Sequence, residues 1–293
     1  NVNVIQHDCD YRQMCDLYQP DLVIFESGVP FASCKRPRVT NVRACSRVPK
    51  LGFLNADGFG EGRSGFLSDM DHWGVETIFA ISVTAAEHTP ALAQRLFVWP
   101  NFANSELYRD YGERKEIQVL FTGNVNSLYP WRRKMLGIIP KHFPSVICAH
   151  PGYNPRKLPR NVILGESYGR MLNCSWIVPA CGTVAKEIVR KHFEIPACRS
   201  CLVTERSPAL QAAGFVDMKN CVFADETDVT EKLEYLLSHR DDLQAIIDAG
   251  YKLVHTRHIM KRRDQILQWY NLSKSLGPNQ KIIQKGPFEP LQV

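Results

Sequence analysis

The feature that most constrains the fold is a series of short apolar runs, each of which ends in a turn of polar or small residues. In the first third of the chain these runs lie at residues 4–5, 20–26, 51–54, 77–81 and 95–99. Runs of this length, bounded by turn residues, are typical of strands that are buried on both faces of a parallel sheet. The stretches between them are long enough for covering helices, so the pattern predicts an α/β fold.

A second series of such runs follows a polar and charged segment at 104–116, which we interpret as a linker. Because the chain has 293 residues, which exceeds the usual size of one domain, we interpret the two series as two domains. We predict an amino-terminal Rossmann-like domain at 1–104 that lacks its first elements, a second at 105–272 whose last helix can cross back, and a surface tail at 273–293. Ligands bind such folds at the carboxyl ends of the strands, so we expect the two sheets to face a cleft. The second series of runs lies at 117–121, 145–148, 176–178, 201–204 and 221–223, with helices at about 183–197, 230–237 and 241–272.

The composition excludes several classes of protein. With 44% hydrophobic and 23% charged residues and no uninterrupted apolar run of about 18–20 residues, the chain has no predicted membrane span. Its net charge of +6 suits anionic ligands, weak attraction to nucleic acid, or simply a basic surface. The ten cysteines lack the spacing of a disulfide scaffold, and Cys148, Cys174 and Cys221 lie in apolar runs, which favours free thiols and a cytoplasmic protein. Because the chain starts at Asn1 rather than Met, we expect it to belong to a longer protein.

Two blocks in the second predicted domain carry a resemblance to a known family. Residues 190–205 (RKHFEIPACRSCLVTE), read together with residues 164–173 (LGESYGRMLN), resemble the carboxyl-terminal domain of CgeB-like glycosyltransferases. His258 and Arg263 match a later motif of that family, in which Ile259 here takes the place of a threonine.

The resemblance covers about residues 51–263 and implies a GT-B fold, in which two Rossmann-like domains face a cleft. The step Pro100–Asn101 is similar to the end of the amino-terminal domain in many GT-B transferases. The resemblance further implies that the chain moves a sugar from a nucleotide-diphosphate sugar to a hydroxyl of a glycan or glycoconjugate. Neither a metal nor another cofactor is expected to take part, and no nucleic-acid partner is expected.

The same resemblance assigns residues to the donor. It implies that Glu194 accepts hydrogen bonds from the ribose hydroxyls, a role that suits a carboxylate because it can bridge two vicinal hydroxyls. Arg190 and Lys191 lie within a turn of Glu194, and we expect one of them to face the pyrophosphate; taken singly, each is as readily a solvated charge. Two further candidate pairs follow predicted strands: Gly123 with Asn124, and Gly182 with Thr183. We expect Gly182 and Thr183 to begin the helix at 183–197. Gly165 and Glu166 are expected to contact the base of the donor.

The sequence offers two candidates for a catalytic base. Asp57 follows the predicted strand at 51–54 and should therefore lie at the carboxyl edge of the first sheet, while His72 is the second candidate. Such a base would remove the proton of the acceptor hydroxyl in an inverting transfer. Both residues also suit turns or helix caps, and a retaining enzyme needs no dedicated base.

Other interpretations remain open at this stage. Cys198 and Cys201 form a CxxC pair, but a zinc site needs two further ligands at suitable spacing. The basic run at 261–263 has no interleaved aromatic residues and favours a solvated helix face over a nucleic-acid surface. The alternatives to a transferase are a non-catalytic module that binds a nucleotide sugar within a larger protein and a GT-B sugar-nucleotide epimerase. The sequence leaves the donor sugar, the base, the acceptor and the oligomeric state undetermined.

Overall fold

A computed structural model describes residues 1–27, 37–55, 63–148, 150 and 163–293 of the protein. The chain divides into two compact units, and each of them is organised around a parallel sheet. The first unit comprises Asn1–Pro100 and Asp264–Val293, and the second comprises Asn101–Arg263. The polar segment at 104–116, interpreted above as a linker, is therefore part of the second unit.

The first unit contains a four-stranded parallel sheet of order β2 (Val23–Glu26), β4 (Lys50–Leu54), β5 (Ile78–Ala80) and β6 (Leu96–Val98). Strands β1 (Cys9–Asp10) and β3 (Val39–Thr40) form a separate parallel pair. The strand predicted at residues 4–5 is wrong, because Val4 is 73% exposed and the chain forms its first strand only at Cys9. The four other strand predictions are confirmed. In chain order the elements up to residue 100 are β1 (Cys9–Asp10), α1 (Tyr11–Tyr18), β2 (Val23–Glu26), β3 (Val39–Thr40), β4 (Lys50–Leu54), α2 (Arg63–Trp73), β5 (Ile78–Ala80), α3 (Ala85–His88) and β6 (Leu96–Val98).

Strand β4 lies between β2 and β5 in the sheet and is buried on both faces, as its apolar run at 51–54 predicts. On one face Leu54 packs with Phe66 and Met70 of helix α2. The helix lies directly on the strand at Gly52, where an added methyl carbon would be 2.8 Å from Sδ of Met70. On the other face Phe53 belongs to a cluster completed by residues from the end of the chain.

The second unit contains a five-stranded parallel sheet of order β11 (Val222–Phe223), β10 (Cys201–Thr204), β9 (Ser175–Pro179), β7 (Ile117–Thr122) and β8 (Ser145–Cys148). Its core lies between this sheet and helices on its face, and the five predicted strands are confirmed. Its elements are β7 (Ile117–Thr122), α4 (Pro130–His142), β8 (Ser145–Cys148), α5 (Gly165–Asn173), β9 (Ser175–Pro179), α6 (Lys191–Ala197), β10 (Cys201–Thr204), α7 (Pro208–Ala212), β11 (Val222–Phe223), α8 (Val229–Ser238) and α9 (Arg240–Arg257).

The single helix predicted at 241–272 is wrong, because α9 ends at Arg257 and the next helix, α10 (Gln265–Lys274), belongs to the first unit. Between the two helices His258 is fully buried. Its Nε2 lies 2.7 Å from the Ala213 carbonyl oxygen, and its Nδ1 lies 2.9 Å from Nη2 of Arg263. These buried polar contacts hold the chain out of helical conformation. Burial and the neighbouring guanidinium lower the pKa of His258 to about 3, so the ring stays neutral.

The end of the chain, which was predicted to be a surface tail, forms an antiparallel pair of strands, β12 (Ile283–Gln284) and β13 (Leu291–Gln292). Leu291 is buried with Trp269 of α10 in the core of the first unit. No helix in the described ranges has the length and apolar character needed to cross a membrane.

Candidate functional site

The candidate site is the carboxyl edge of the five-stranded sheet in the second unit. In a parallel sheet all strands end at the same edge, and the loops that leave it carry the unpaired backbone groups that bind ligands. Three of those loops follow β7, β9 and β10, and they begin at Gly123, Ala180 and Glu205. Side chains from α4, α5 and α6 converge on the first of them.

Gly123 is the position at which this convergence is tightest. Its φ of +104° lies in a region that residues with a side chain rarely adopt. A methyl carbon added there would lie 2.8 Å from Nζ of Lys191 and 2.9 Å from Nη1 of Arg132. The absence of a side chain at Gly123 therefore allows two cationic groups to approach the backbone of the β7 loop.

Lys191 is the first residue of α6 and is half-buried. It donates a hydrogen bond of 2.7 Å to Oγ1 of Thr122, the last residue of β7. The hydroxyl of Tyr168 lies 3.0 Å from the same oxygen, and the Tyr168 ring centroid is 5.6 Å from Nζ. Burial, and after it the charge of Arg132, lowers the pKa of Lys191 to about 7.

Arg132, in the first turn of α4, is 3% exposed and holds two loops together. Its Nη1 donates to the carbonyl oxygen of Asn124 (2.7 Å), and its Nη2 donates to that of Cys181 (3.3 Å). Its guanidinium carbon lies 4.7 Å from the ring centroid of Tyr129, and its buried Nε has no hydrogen-bond partner among the described residues. None of these contacts neutralises the guanidinium charge, because both acceptors are uncharged carbonyl groups.

Glu194 lies one turn after Lys191 on α6 and is 7% exposed. Burial raises the pKa of its carboxyl group, while Lys191, Arg190 and a hydrogen bond with Tyr108 act in the opposite direction. Tyr108 belongs to the segment that the sequence analysis interpreted as a linker. In this structure that segment supplies the hydroxyl partner of the carboxylate.

Gly182 and Thr183 do not begin a helix, so that prediction is wrong. Lys186 has a left-handed backbone (φ +55°), which interrupts any helix through this stretch, and α6 begins only at Lys191. Gly182 instead allows the chain to fold back on itself, since an added methyl carbon would lie 2.3 Å from the carbonyl oxygen of Glu187. The Thr183 hydroxyl accepts from the amide of Ala185 at 3.3 Å and supports the same turn.

We expect Gly182→Ala to lower the free energy of unfolding by about 1–3 kcal/mol, because the added methyl group meets backbone atoms that cannot rotate away. Chemical denaturation of the purified protein measures the change. Gly137→Ala is the matched control, since its added methyl group would meet nothing within 4 Å in the described structure and the site is an exposed helix interior, where alanine is favoured. Equal effects of the two substitutions would show that the turn at Gly182 tolerates a side chain.

The other predicted donor residues lie at or near this edge with different degrees of exposure. Arg190 is exposed, in contrast to its neighbour Lys191, and the side chain of Asn124 accepts from the amide of Asn126 at 3.0 Å. Gly165, with φ +59°, begins α5, and exposed Glu166 is 2.7 Å from Nη2 of Arg170. None of the contacts that these residues make within the described part of the chain identifies a ligand by itself.

The two candidate bases are in the first unit. Asp57 lies outside the described residues. His72 is exposed in the last turn of α2, next to Asp71, whose carboxylate is 2.7 Å from Nη1 of Arg95. Because Arg95 directly precedes β6, His72 lies near the amino end of the sheet, whereas ligands bind such folds at the carboxyl end.

The CxxC pair is buried rather than reactive. Cys198 and Cys201 are both free thiols, and burial raises the pKa of each to about 12. Within the part of the chain that the structure describes, no three His, Cys, Asp or Glu side chains are grouped so that they could hold a metal ion.

Several residues of this edge are not among the candidates predicted from the sequence: Thr122, Arg132, Tyr108, Tyr168 and His150. Arg132 had a usable signal, because it follows a helix-starting proline in the first helix after β7. The tyrosines had none, since an aromatic residue in a helix or loop is usually part of the core. Their roles depend on contacts between segments that are distant in the sequence.

The profile of the glycosyl transferase-like family matches residues 106–268, and no curated protein matches the chain by sequence. HepE of Anabaena in complex with UDP-glucose has a similar fold, with a TM-score of 0.64 and 10% identity over 90% of this chain and 80% of that one. Sucrose-phosphate synthase of Thermosynechococcus elongatus has a TM-score of 0.67 and 10% identity, over 90% of this chain and 76% of that one. An alpha-glucosyltransferase in complex with UDP-glucose and DNA containing an abasic site has a TM-score of 0.58 and 12% identity, over 90% of this chain and 83% of that one.

Proposed function

The chain belongs to the glycosyl transferase-like family and has the predicted GT-B fold, and from this premise we propose that it moves a sugar from a nucleotide-diphosphate sugar to a hydroxyl of a glycan or glycoconjugate. The transferred group is a hexose or a pentose. The donor lies on the second unit, at the carboxyl edge of its five-stranded sheet.

The observation that carries this proposal is the pair of cationic groups at Gly123. Lys191 and Arg132 approach the same point of the β7 loop from two different helices. Their contacts in the structure are with uncharged hydroxyl and carbonyl groups. A diphosphate supplies the negative charge that such a pair lacks, and it accepts hydrogen bonds from both groups at once.

The chemistry of the transfer explains why cations are needed at this place. The acceptor hydroxyl loses its proton to a base, and its oxygen forms a bond to the anomeric carbon of the sugar. The bond between that carbon and the diphosphate oxygen breaks, and the electron pair stays with the diphosphate. Lys191 and Arg132 stabilise this developing charge, which is the task that a metal ion performs in other transferases.

Glu194 supports the same placement of the donor. Its carboxylate is on the same helix as Lys191 and is held near the sheet edge by Tyr108. We assign it to the vicinal hydroxyls of the ribose, with Gly165 and Glu166 near the base. This assignment gives one helix, α6, contacts to both the ribose and the diphosphate.

The test is the binding of UDP and UDP-glucose by calorimetry in the presence of excess chelator. We expect binding of both ligands to persist, because the two cationic side chains, and no metal ion, hold the diphosphate. Loss of binding on addition of chelator would contradict the metal-independent site. GDP and ADP are included because the structure leaves the base open, and failure of every nucleotide to bind would contradict the proposal as a whole.

Release of sugar then separates an enzyme from its alternatives. Transfer to an acceptor or slow hydrolysis of the donor supports a transferase. A sugar-nucleotide epimerase would change the configuration of the sugar without releasing it, and a binding module would leave the donor intact. Chromatography of the sugar products distinguishes the three.

A further inference from the structure

The two basic groups at Gly123 are close enough to repel each other when both are charged. Nζ of Lys191 and Nη1 of Arg132 both lie within 3 Å of one point beside Gly123, so they are no more than about 6 Å apart, a range over which like charges repel appreciably. Arg132 is buried, and a guanidinium does not lose its proton in proteins. The repulsion therefore acts on the protonation of Lys191.

The surroundings of Lys191 contain little negative charge to offset this repulsion. Thr122 and Tyr168 offer hydroxyl groups, which a neutral amine can contact as well as an ammonium. Glu194 lies on the same helix, and its carboxylate favours the ammonium form of Lys191 but is itself buried. Exposed Arg190 directly precedes the helix and adds a further positive charge.

The remaining titratable groups around the pair come from the ends of three strands. Burial raises the pKa of the thiols of Cys148, at the end of β8, and of Cys181, after β9, so both are uncharged. Burial and the two cations lower the pKa of His150, which keeps its ring neutral. Glu205, after β10, accepts from the amide of Gly182, and burial raises the pKa of its carboxyl group.

From this geometry, and on the premise of the proposed function, we propose that binding of a nucleoside diphosphate is coupled to the uptake of one proton by Lys191. In the free protein the amine of Lys191 is largely neutral above neutral pH, because burial and Arg132 hold its pKa at about 7. The diphosphate brings negative charge between the two groups and restores the ammonium form. The nucleotide site is thus sensitive to pH, and affinity should fall by up to tenfold per pH unit above about pH 7.

The experiment is calorimetric titration of the whole chain with UDP in buffers of different ionisation enthalpy. The slope of the observed enthalpy against that of the buffer counts the protons taken up. At pH 8 we expect about 0.9 proton per UDP, because Lys191 is then mostly neutral in the free protein. At this pH the phosphates are already ionised, since their last pKa is about 6, so they add no proton change of their own.

Two variants identify the group that receives the proton. In Lys191→Arg the positive charge is permanent, and we expect UDP to bind with proton uptake near zero at pH 8. Lys134→Arg, at an exposed lysine of α4, is the matched control and should keep the uptake of the parent. UDP binding without proton uptake in the parent would overturn this inference and leave the proposed function intact. Unchanged proton uptake in Lys191→Arg would show that another group, such as His150, receives the proton, and would also overturn this inference. Failure to bind any nucleoside diphosphate would instead contradict the proposed function.

Discussion

Replacing Lys191 by methionine is expected to weaken the binding of UDP by about ten- to a hundredfold. The substitution removes charge-assisted hydrogen bonds to the diphosphate, which contribute about 1.5–3 kcal/mol. Methionine is similar in length and apolar, so it fills the same space near Tyr168 without adding a charge. The dissociation constant at pH 7, measured by calorimetry, gives the effect.

The stability of the same variant separates a binding role from a structural one. Because Lys191 is repelled by buried Arg132, we expect Lys191→Met to unfold at the same denaturant concentration as the parent or at a higher one. Lys134→Met is the matched control, since the side chain of Lys134 is 57% exposed and its ion pair with Glu226 lies on the surface. If the UDP affinity of Lys191→Met stays within twofold of that of the parent, Lys191 does not contribute to the binding of the donor.

Replacing Asp57 by asparagine is expected to lower the rate of sugar transfer by about 10²–10⁴, the usual effect of losing a general base. The expectation is based on sequence position, because Asp57 follows β4 in the chain, and the residues that follow a parallel strand belong to the carboxyl edge of its sheet. UDP binding should remain nearly unchanged, since the donor contacts proposed here are in the second unit. Transfer rates and UDP affinity are therefore measured on the same preparation.

His72→Ala accompanies this experiment as the competing candidate. His72 is exposed at the amino end of the first sheet, so we expect its loss to change the rate by less than about twofold, as for a surface residue away from the reacting groups. Transfer within threefold of the parent in Asp57→Asn would reject Asp57 as the base. Full activity in both variants would favour a retaining mechanism that needs no dedicated base.

The elements that could be predicted from the sequence are those whose signal is local. The strands β4, β7 and β10 each contain a short unbroken apolar run, at residues 51–54, 119–121 and 201–203, which is the pattern of strands buried on both faces of a parallel sheet. The helix predictions are less accurate, because residues 183–190 and 258–264 lie inside predicted helices although the chain there is not α-helical. In the first case a left-handed residue, Lys186, interrupts the helix, and in the second the buried pair His258 and Arg263 does so.

The same distinction applies to the candidate site. The sequence is sufficient to predict the α/β fold of two sheets, the family resemblance and a helix around Lys191 and Glu194, because these depend on residues that are close in the chain. It does not predict that Lys191, rather than Arg190, points to the sheet edge, or that Arg132 meets it at Gly123. The charge environment of a side chain depends on groups that other strands and helices bring to it. Arg132 and Lys191 are 59 positions apart in the sequence (191 − 132). They meet because Arg132 is on the helix that follows β7, Lys191 is on the helix that follows β9, and these two strands are neighbours in the sheet.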